Sequence, residues 1–234
     1  MNADNYDALT FDVYGTLIDW EPTIVRLLGE LVAGGGKQAS EAKLLDGFDR
    51  ARAHYQEIAP ARPYPRILRS AFAYVADEYG LVADGDAQLA FGASVGDWLP
   101  YPDSVAALEA LKRRFTLGAY TNMDDASFAK SHARLQDCFD VVVTAERAGA
   151  YKPSLRHFVL GLTDLAARDI PPARVLHVAQ SLRADVRPCN LLGQDVVWIN
   201  RTGRALGHTG FGAELAEPMA TFPTMEAFVS DFLN

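Results

Sequence analysis

Asp12 stands directly after the apolar run Ala8-Leu9-Thr10-Phe11, in the segment Phe11-Asp12-Val13-Tyr14-Gly15-Thr16-Leu17-Ile18-Asp19. Such a run reads as a buried strand, and Gly15 permits a tight turn just beyond it. The strand would deliver a carboxylate to its C-terminal end, where open α/β sheets bind ligands. A carboxylate there can act as a nucleophile and form a covalent ester. Three further segments place polar residues at strand ends. Thr121-Asn122 close Leu117-Gly118-Ala119-Tyr120. Lys152 lies in Ala150-Tyr151-Lys152-Pro153-Ser154, where Pro153 suits a first helical position. Gln180-Ser181 follow His177-Val178-Ala179, with Asp185 one short turn onward.

These positions need a sheet to bring them together, and the chain supplies one. Strands are expected at 7–13, Thr116–Thr121, Val141–Thr144, Val175–Ala179 and Val196–Ile199. Helices are expected at Ser104–Arg114, Asp125–Leu135, Ser154–Ala167, Arg183–Leu192 and Thr224–Phe232. Alternation of this kind predicts a mostly parallel sheet covered by helices on both faces. Residues 20–99 break the pattern and read as about four helices, punctuated by Gly34-Gly35-Gly36 and Pro60-Ala61-Arg62-Pro63. The expected organisation is an α/β fold: a Rossmann-like, doubly wound core of residues 1–18 and 100–234, with a helical cap of residues 19–99 inserted after the first strand.

Composition narrows the function classes. An apolar share of 49 % supports a substantial core, and the net charge is −8 with no run of Lys or Arg. Nucleic acid and anionic membrane both need a basic footprint and are not expected partners. Two cysteines form no disulfide framework, and the polar, acidic start Met1-Asn2-Ala3-Asp4-Asn5 is unlike a signal peptide. No apolar run approaches the roughly 20 residues of a membrane span. A cytoplasmic setting is the expectation.

Asp, Thr/Ser, Lys and Asp in this order along a doubly wound sheet resemble the haloacid dehalogenase superfamily over nearly the whole chain, cap included. The resemblance implies that Asp12 is the nucleophile. It implies that Thr121 and Asn122 hydrogen-bond the substrate or leaving group, and that Lys152 stabilises the negative charge around Asp12. Asp185 would organise that Lys or the hydrolytic water. Phosphatase members carry a second Asp two residues after the nucleophile as the acid, and an acidic pair in the fourth motif that helps hold Mg²⁺. Here those positions are Tyr14, a phenol with an ordinary pKa of about 10, and Gln180, so that only Asp185 remains. Mg²⁺ favours carboxylate and phosphate oxygen, and no metal or other cofactor is expected.

The departures point to the 2-haloacid dehalogenase branch, which Phe11–Leu17 and Val197-Trp198-Ile199-Asn200-Arg201-Thr202-Gly203 also resemble. That branch implies attack by Asp12 on carbon 2 of a small carboxylic acid, then hydrolysis of the ester, and it implies a homodimer. The match has gaps. Those enzymes favour Ser at Thr121, differ around Gln180-Ser181, and carry a Tyr where Phe158 stands. The expected substrate is an L-2-haloacid. The alternatives are a strained nitrogen ring bearing a 2-carboxylate (azetidine-2-carboxylate is one), a phosphatase with a degraded Mg²⁺ site, and a non-catalytic binder on the same fold.

For the substrate carboxylate, the helix over 40–59 puts Leu45, Phe48, Arg52, Tyr55 and Ala59 on one face. Arg52 could clamp a carboxylate there, with Arg50 as the competing choice. Tyr14, Thr16, Trp20, Gln180 and Ser181 complete the expected substrate contacts, and Tyr64 is a further wall candidate. Other features read plainly. Asp124 and Asp125 suit a helix start, the five His lack metal spacing, and His177 suits a satisfied core residue. Gly34-Gly35-Gly36-Lys37 suits a link between cap helices, and Gly203–Gly212 a mobile loop. Neither Cys138 nor Cys189 has a His/Asn partner pattern.

Overall fold

A computed structural model of the protein describes residues 1–59, 62–203 and 213–234. Pro60-Ala61 and all but the first residue of the Gly203–Gly212 segment lie outside them. In chain order the elements are β1 (Ala8–Phe11), β2 (Ile18–Asp19), α1 (Glu21–Gly34), α2 (Glu41–Ile58), α3 (Tyr64–Glu78), α4 (Gly85–Ala93) and β3 (Leu99–Pro100). There follow α5 (Ser104–Lys112), β4 (Thr116–Thr121), α6 (Asp125–Arg134), β5 (Val141–Thr144), α7 (Ala145–Ala148), α8 (Arg156–Ala166), β6 (Val175–Ala179), α9 (Arg187–Leu192), β7 (Val196–Ile199), β8 (Ala220–Phe222) and α10 (Met225–Phe232).

The chain divides into two compact units: Met1–Asp19 with Pro100–Asn234, and Trp20–Leu99. The first contains a six-stranded sheet in the order β5-β4-β1-β6-β7-β8. Every pairing in it is parallel. This is the Rossmann-like, doubly wound architecture, with β1 between β4 and β6. Strands so placed are buried on both faces and need continuous apolar sequence. All four residues of β1 and all five of β6 are buried. The two polar exceptions in that interior, Thr10 and His177, sit in register with each other.

Helix α8 shows how closely the layers meet. A Cβ built at Gly161 would lie 2.2 Å from the Tyr120 ring, so the helix backbone itself supports that ring. Among the described residues the second unit contains the helices α1 to α4 and a 3-10 turn at Ser94–Asp97, with Trp20 and Phe48 in ring contact at 5.6 Å and Phe72 and Phe91 at 4.7 Å.

Three sequence expectations are corrected. Pro153 does not open a helix: α8 begins at Arg156, and Lys152-Pro153 is a cis peptide in the preceding turn. The helix expected over 183–192 is a π-helical turn, Leu182–Val186, followed by α9. On α2 the buried line is Leu44, Gly47, Phe48 and Ala51, with Gln56. That line is rotated from the expected face, and leaves Leu45 and Arg52 half-buried at its flank.

Candidate active site

β1 ends at Phe11, level with Ala119 of β4 and Val178 of β6. Asp12 is the next residue, and its N–H donates to the Val178 carbonyl at 3.1 Å, extending the ladder by one rung. The chain then closes on itself. Leu17 and Ile18 N–H both donate to the Val13 carbonyl, and Gly15 N–H donates to the Ile18 carbonyl. Gly15 has φ +95°, a conformation that costs side-chain-bearing residues energy. The turn puts the Thr16 hydroxyl 2.7 Å from Asp12 Oδ2, to which it donates, while Thr16 Oγ1 accepts the Gln180 N–H at 2.8 Å. Thr16 therefore joins the Asp12 turn to the end of β6.

Lys152 meets Asp12 from the other side. Its Nζ donates to Asp12 Oδ1 at 2.9 Å, to Asp185 Oδ1 at 2.6 Å and to the Tyr120 carbonyl at 2.7 Å. Those three bonds use every donor of an ammonium. Lys152 is 1 % exposed, Asp185 0 % and Asp12 6 %. Asn122 fixes the Lys152 backbone, accepting its N–H on Oδ1 at 2.6 Å and donating from Nδ2 to its carbonyl at 3.2 Å. Asp185 is presented by the π-helical turn, whose start is capped by Ser181 Oγ accepting the Ala184 N–H. Such one-residue insertions re-aim a side chain and often mark functional positions. Asp185 Oδ1 also accepts from His177 Nε2 at 3.3 Å, whereas Oδ2 is buried without a partner among the described residues.

The cluster thus buries two carboxylates around one ammonium. Desolvation works against the Lys152 charge, but Asp12 and Asp185 outweigh it and hold its pKa above the ordinary value. Asp185 is held low. Burial pushes it up, and the Lys152 charge and the His177 hydrogen bond overcome that push. Asp12 is raised, because burial and the Asp185 charge outweigh Lys152 and Thr16. Dense charge coupling of this kind concentrates at functional sites.

His157, on α8, is fully buried. Its Nε2 lies 3.2 Å from the Thr121 carbonyl, and Nδ1 has no partner among the described residues. Burial first, then the Lys152 charge, lowers its pKa to about 3. An unfolded chain, with an ordinary His near pH 6.5, binds up to one more proton than the folded chain between these values. Stability is therefore expected to fall as pH drops from about 6.5 toward 3, and to be free of this penalty above 6.5. His157→Phe removes that proton. In urea titrations from pH 4.5 to 7.5 the variant should show a shallower slope, with His132, also lowered by burial, still contributing in the same direction. An unchanged slope would refute the assignment.

Neither thiol is poised to react. Burial pushes Cys138 up to about 11 and Cys189 well above its ordinary value.

In the second unit, Arg52 packs its guanidinium 5.1 Å from the Trp20 ring and 5.7 Å from the Phe48 ring, and Nη2 donates to Asp49 at 2.7 Å. Arg50 instead lies on the exposed surface, bonded to Asp46 and Glu78. Of the two, Arg52 is the one whose charge is set on an aromatic floor. Tyr64 is 2 % exposed and packs edge-on to Trp98.

The pattern of haloacid dehalogenase-like hydrolases matches residues 6–193. This chain belongs to that family. It is 25 % identical over 226 residues to haloacetate dehalogenase H-2 of Moraxella sp. (strain B), covering 95 % of this chain and 96 % of the relative. The L-2-haloacid dehalogenase of Xanthobacter autotrophicus, solved with chloropropionic acid covalently bound, shares the fold. Its TM-score is 0.75 at 20 % identity, over 96 % of this chain and 97 % of that one. So does a putative hydrolase of the superfamily from Bacillus subtilis bound to magnesium, with TM-score 0.78 at 18 % identity over 98 % and 100 %.

Within this haloacid dehalogenase-like hydrolase, the first unit gathers Asp12, Thr16, Lys152 and Asp185 through direct hydrogen bonds. Other expected site residues hold different partners. Asn122 bonds the Lys152 backbone, Ser181 caps a turn, and Tyr14 Oη lies 2.7 Å from Ser131 Oγ. Gln180 acts through its backbone, donating to Thr16 and accepting the Trp198 Nε1–H at 2.7 Å. Thr121 Oγ1 is buried without a partner among the described residues.

Two contributors escaped the sequence reading of this hydrolase. Arg201 donates to the Thr16 carbonyl, pairs bidentately with Asp103 and stacks 3.9 Å from the Tyr101 ring. Asp103 also accepts the Met225 and Glu226 N–H groups at the start of α10. The donor set does not fit Mg²⁺. Asp12 and Asp185 each give an oxygen to one ammonium, a cation already in place. Among the described residues no group of three or more His, Cys, Asp or Glu is arranged to hold a metal ion.

No helix among the described residues is long and apolar enough to cross a membrane.

Proposed function

We propose that this hydrolase displaces a substituent at carbon 2 of a small carboxylic acid through an ester on Asp12, without a metal, and that an L-2-haloacid is its substrate. The observation that carries the reading is the Lys152 bond to Asp12 in a site where Tyr14 and Gln180 replace the acids that a phosphatase needs. With one ammonium for two carboxylates, the cluster carries a net negative charge. It disfavours a phosphoryl dianion and tolerates a singly charged substrate with a carbon electrophile. The dehalogenase relative and the covalent chloropropionate adduct of the Xanthobacter enzyme support the same chemistry.

In the first step an Asp12 carboxylate oxygen bonds carbon 2 while the bond to the leaving group breaks, its electron pair departing with that group. Holding nucleophile and carbon in line can lower the barrier by about 7–11 kcal/mol. Water then bonds the Asp12 side-chain carbon and the acyl–oxygen bond breaks. The product is a 2-hydroxy acid, one proton is released and Asp12 is restored. Carbon 2 is inverted once. Arg52, set on Trp20 and Phe48, is the proposed carboxylate-binding guanidinium of the second unit.

A second reading is hydrolytic opening of a strained ring whose nitrogen neighbours the carboxylate-bearing carbon. Asn122 spends Oδ1 and one of its two Nδ2 hydrogens on the Lys152 backbone, which leaves at most one amide N–H for a departing halide. An ammonium leaving group departs as a neutral amine and needs no anion cradle.

One experiment tests both readings. Excess enzyme meets limiting 2-chloropropionate or azetidine-2-carboxylate in ¹⁸O water, with and without chelator. The expected result is heavy oxygen in the Asp12 peptide and light oxygen in the first product, unaffected by chelator. Halide release selects the first substrate and ring opening the second. Heavy oxygen passing straight into product would overturn the ester mechanism.

A further inference from the structure

Behind Lys152 lies a polar residue that neither step of the proposed reaction touches. His177 is in the middle of β6, fully buried. Its ring is held on every side. Tyr120 of β4 stacks on it at 5.6 Å, and Phe158 of α8 meets it edge-on at 5.3 Å. Both ring nitrogens have partners: Nδ1 lies 2.8 Å from Thr10 Oγ1 and Nε2 lies 3.3 Å from Asp185 Oδ1. The Nε2 contact requires a proton on that nitrogen, because a carboxylate oxygen only accepts. The Thr10 hydroxyl can donate to Nδ1 or accept from it, so the bond to Asp185 survives either charge state of the ring. The charged and titratable groups around this ring are Asp185, Lys152 bonded to the same Asp185 oxygen, Tyr120, and, beyond Asp185, Asp12, His157 and Cys189.

We propose that His177, steadied by Thr10, is a positioning residue that fixes the Asp185 carboxylate as the counter-charge of Lys152, and thereby sets the ammonium against Asp12. Sequence supports this as well as geometry. An apolar residue is the ordinary choice at the centre of a buried parallel strand. This chain instead places Thr10 and His177 in register on adjacent strands, so each satisfies the other. Gly118, in register with Thr10 on the opposite side, leaves its methyl room: a Cβ there would come within 3.0 Å of Thr10 Cγ2.

The effect on turnover rests on the Asp12 ester reading, whereas the effect on Asp185 does not, and the test separates them. His177→Phe deletes the donor and keeps the ring, His177→Gln restores an N–H, and Thr10→Val removes only the hydroxyl at Nδ1. Each is followed by carbon-13 NMR of the aspartate carboxyls, with the Asp185 signal identified by Asp185→Asn. Each is also assayed for turnover of 2-chloropropionate. In His177→Phe the Asp185 titration midpoint is expected to rise by at least about one pH unit, and kcat to fall about 10–100-fold with KM within about two-fold. His177→Gln should recover most of both, and Thr10→Val should shift both less, in the same direction. A His177→Phe protein with the wild-type Asp185 midpoint overturns the proposal, and so does one that loses only melting temperature. If His177→Phe does not fold, the contrast between His177→Gln and Thr10→Val decides. If wild-type enzyme never labels Asp12, the ester reading fails and the carboxyl titration alone judges His177.

Discussion

Lys152→Met is expected to abolish turnover and to cost about 3–5 kcal/mol of stability, the range for stranding one side of a buried ion pair. Methionine fills much of the same volume, so packing accounts for little of this loss. The loss comes from Asp12 and Asp185, both buried and both bonded to the one ammonium that the substitution deletes. Two carboxylates that close cannot both stay ionised in a dry interior, and one takes up a proton. The sign of the pH dependence follows. A carboxyl whose folded pKa is raised is penalised progressively as pH climbs past its unfolded value and is relieved as pH falls. The Lys152→Met protein should therefore be less impaired at pH 5 than at pH 8, as read by urea denaturation against wild type at both. A loss below about 1 kcal/mol, equal at the two pH values, would show that Lys152 is not the counter-charge of this pair.

Asp12→Asn should separate activity from stability. An amide is isosteric with the carboxylate but is a far weaker nucleophile, and loss of the attacking group is expected to cost at least about four orders of magnitude in kcat. The same change removes one of two negative charges crowded on Lys152, and with it the burial penalty that raises Asp12. The variant should melt at or above the wild-type temperature, as expected where a strained functional group is neutralised. Steady-state halide or amine release and a thermal melt check both halves. Turnover within ten-fold of wild type would remove Asp12 from the chemistry. A clear drop in melting temperature would mean that its charge serves the fold. Read together, Lys152→Met loses both properties and Asp12→Asn only one.

Much of this site was legible because a parallel sheet gathers its strand ends on one edge. Asp12, Lys152 and Asp185 lie far apart in sequence, yet Asp12 directly follows and Asp185 follows by one short turn an apolar run that announced a buried strand, whereas Lys152 comes after β5 and the short helix α7. The ranges of β4, β5, β6 and β7 coincide with those runs. What sequence could not supply was the choice among partners for a polar side chain. Asn122 looks the same whether it meets a substrate or a backbone, and only the fold brings Lys152 N–H to its oxygen. Ser181 looks like a ligand contact until the π-helical turn gives its oxygen a cap to make. That turn is invisible to a 3.6-residue pattern, and β8, an edge strand of three residues, is too short a run to read. On α2 the Arg50 and Arg52 alternatives differ by two positions, which on a helix means nearly opposite sides, and a face inferred one residue off could not separate them. His177 fits the plain reading of a satisfied core residue. The letters could not say that Asp185 is part of what satisfies it.

Asp103 ties together segments from both ends of the chain. It grips Arg201, which holds the Thr16 carbonyl, and it receives the first amides of α10. The brace on the turn that carries Asp12 therefore includes Arg201 and, through Asp103, the first amides of α10, all of them distant from that turn in sequence. That turn is thus held by a contact that only long-range folding can make, since it forms only once these separate segments have met.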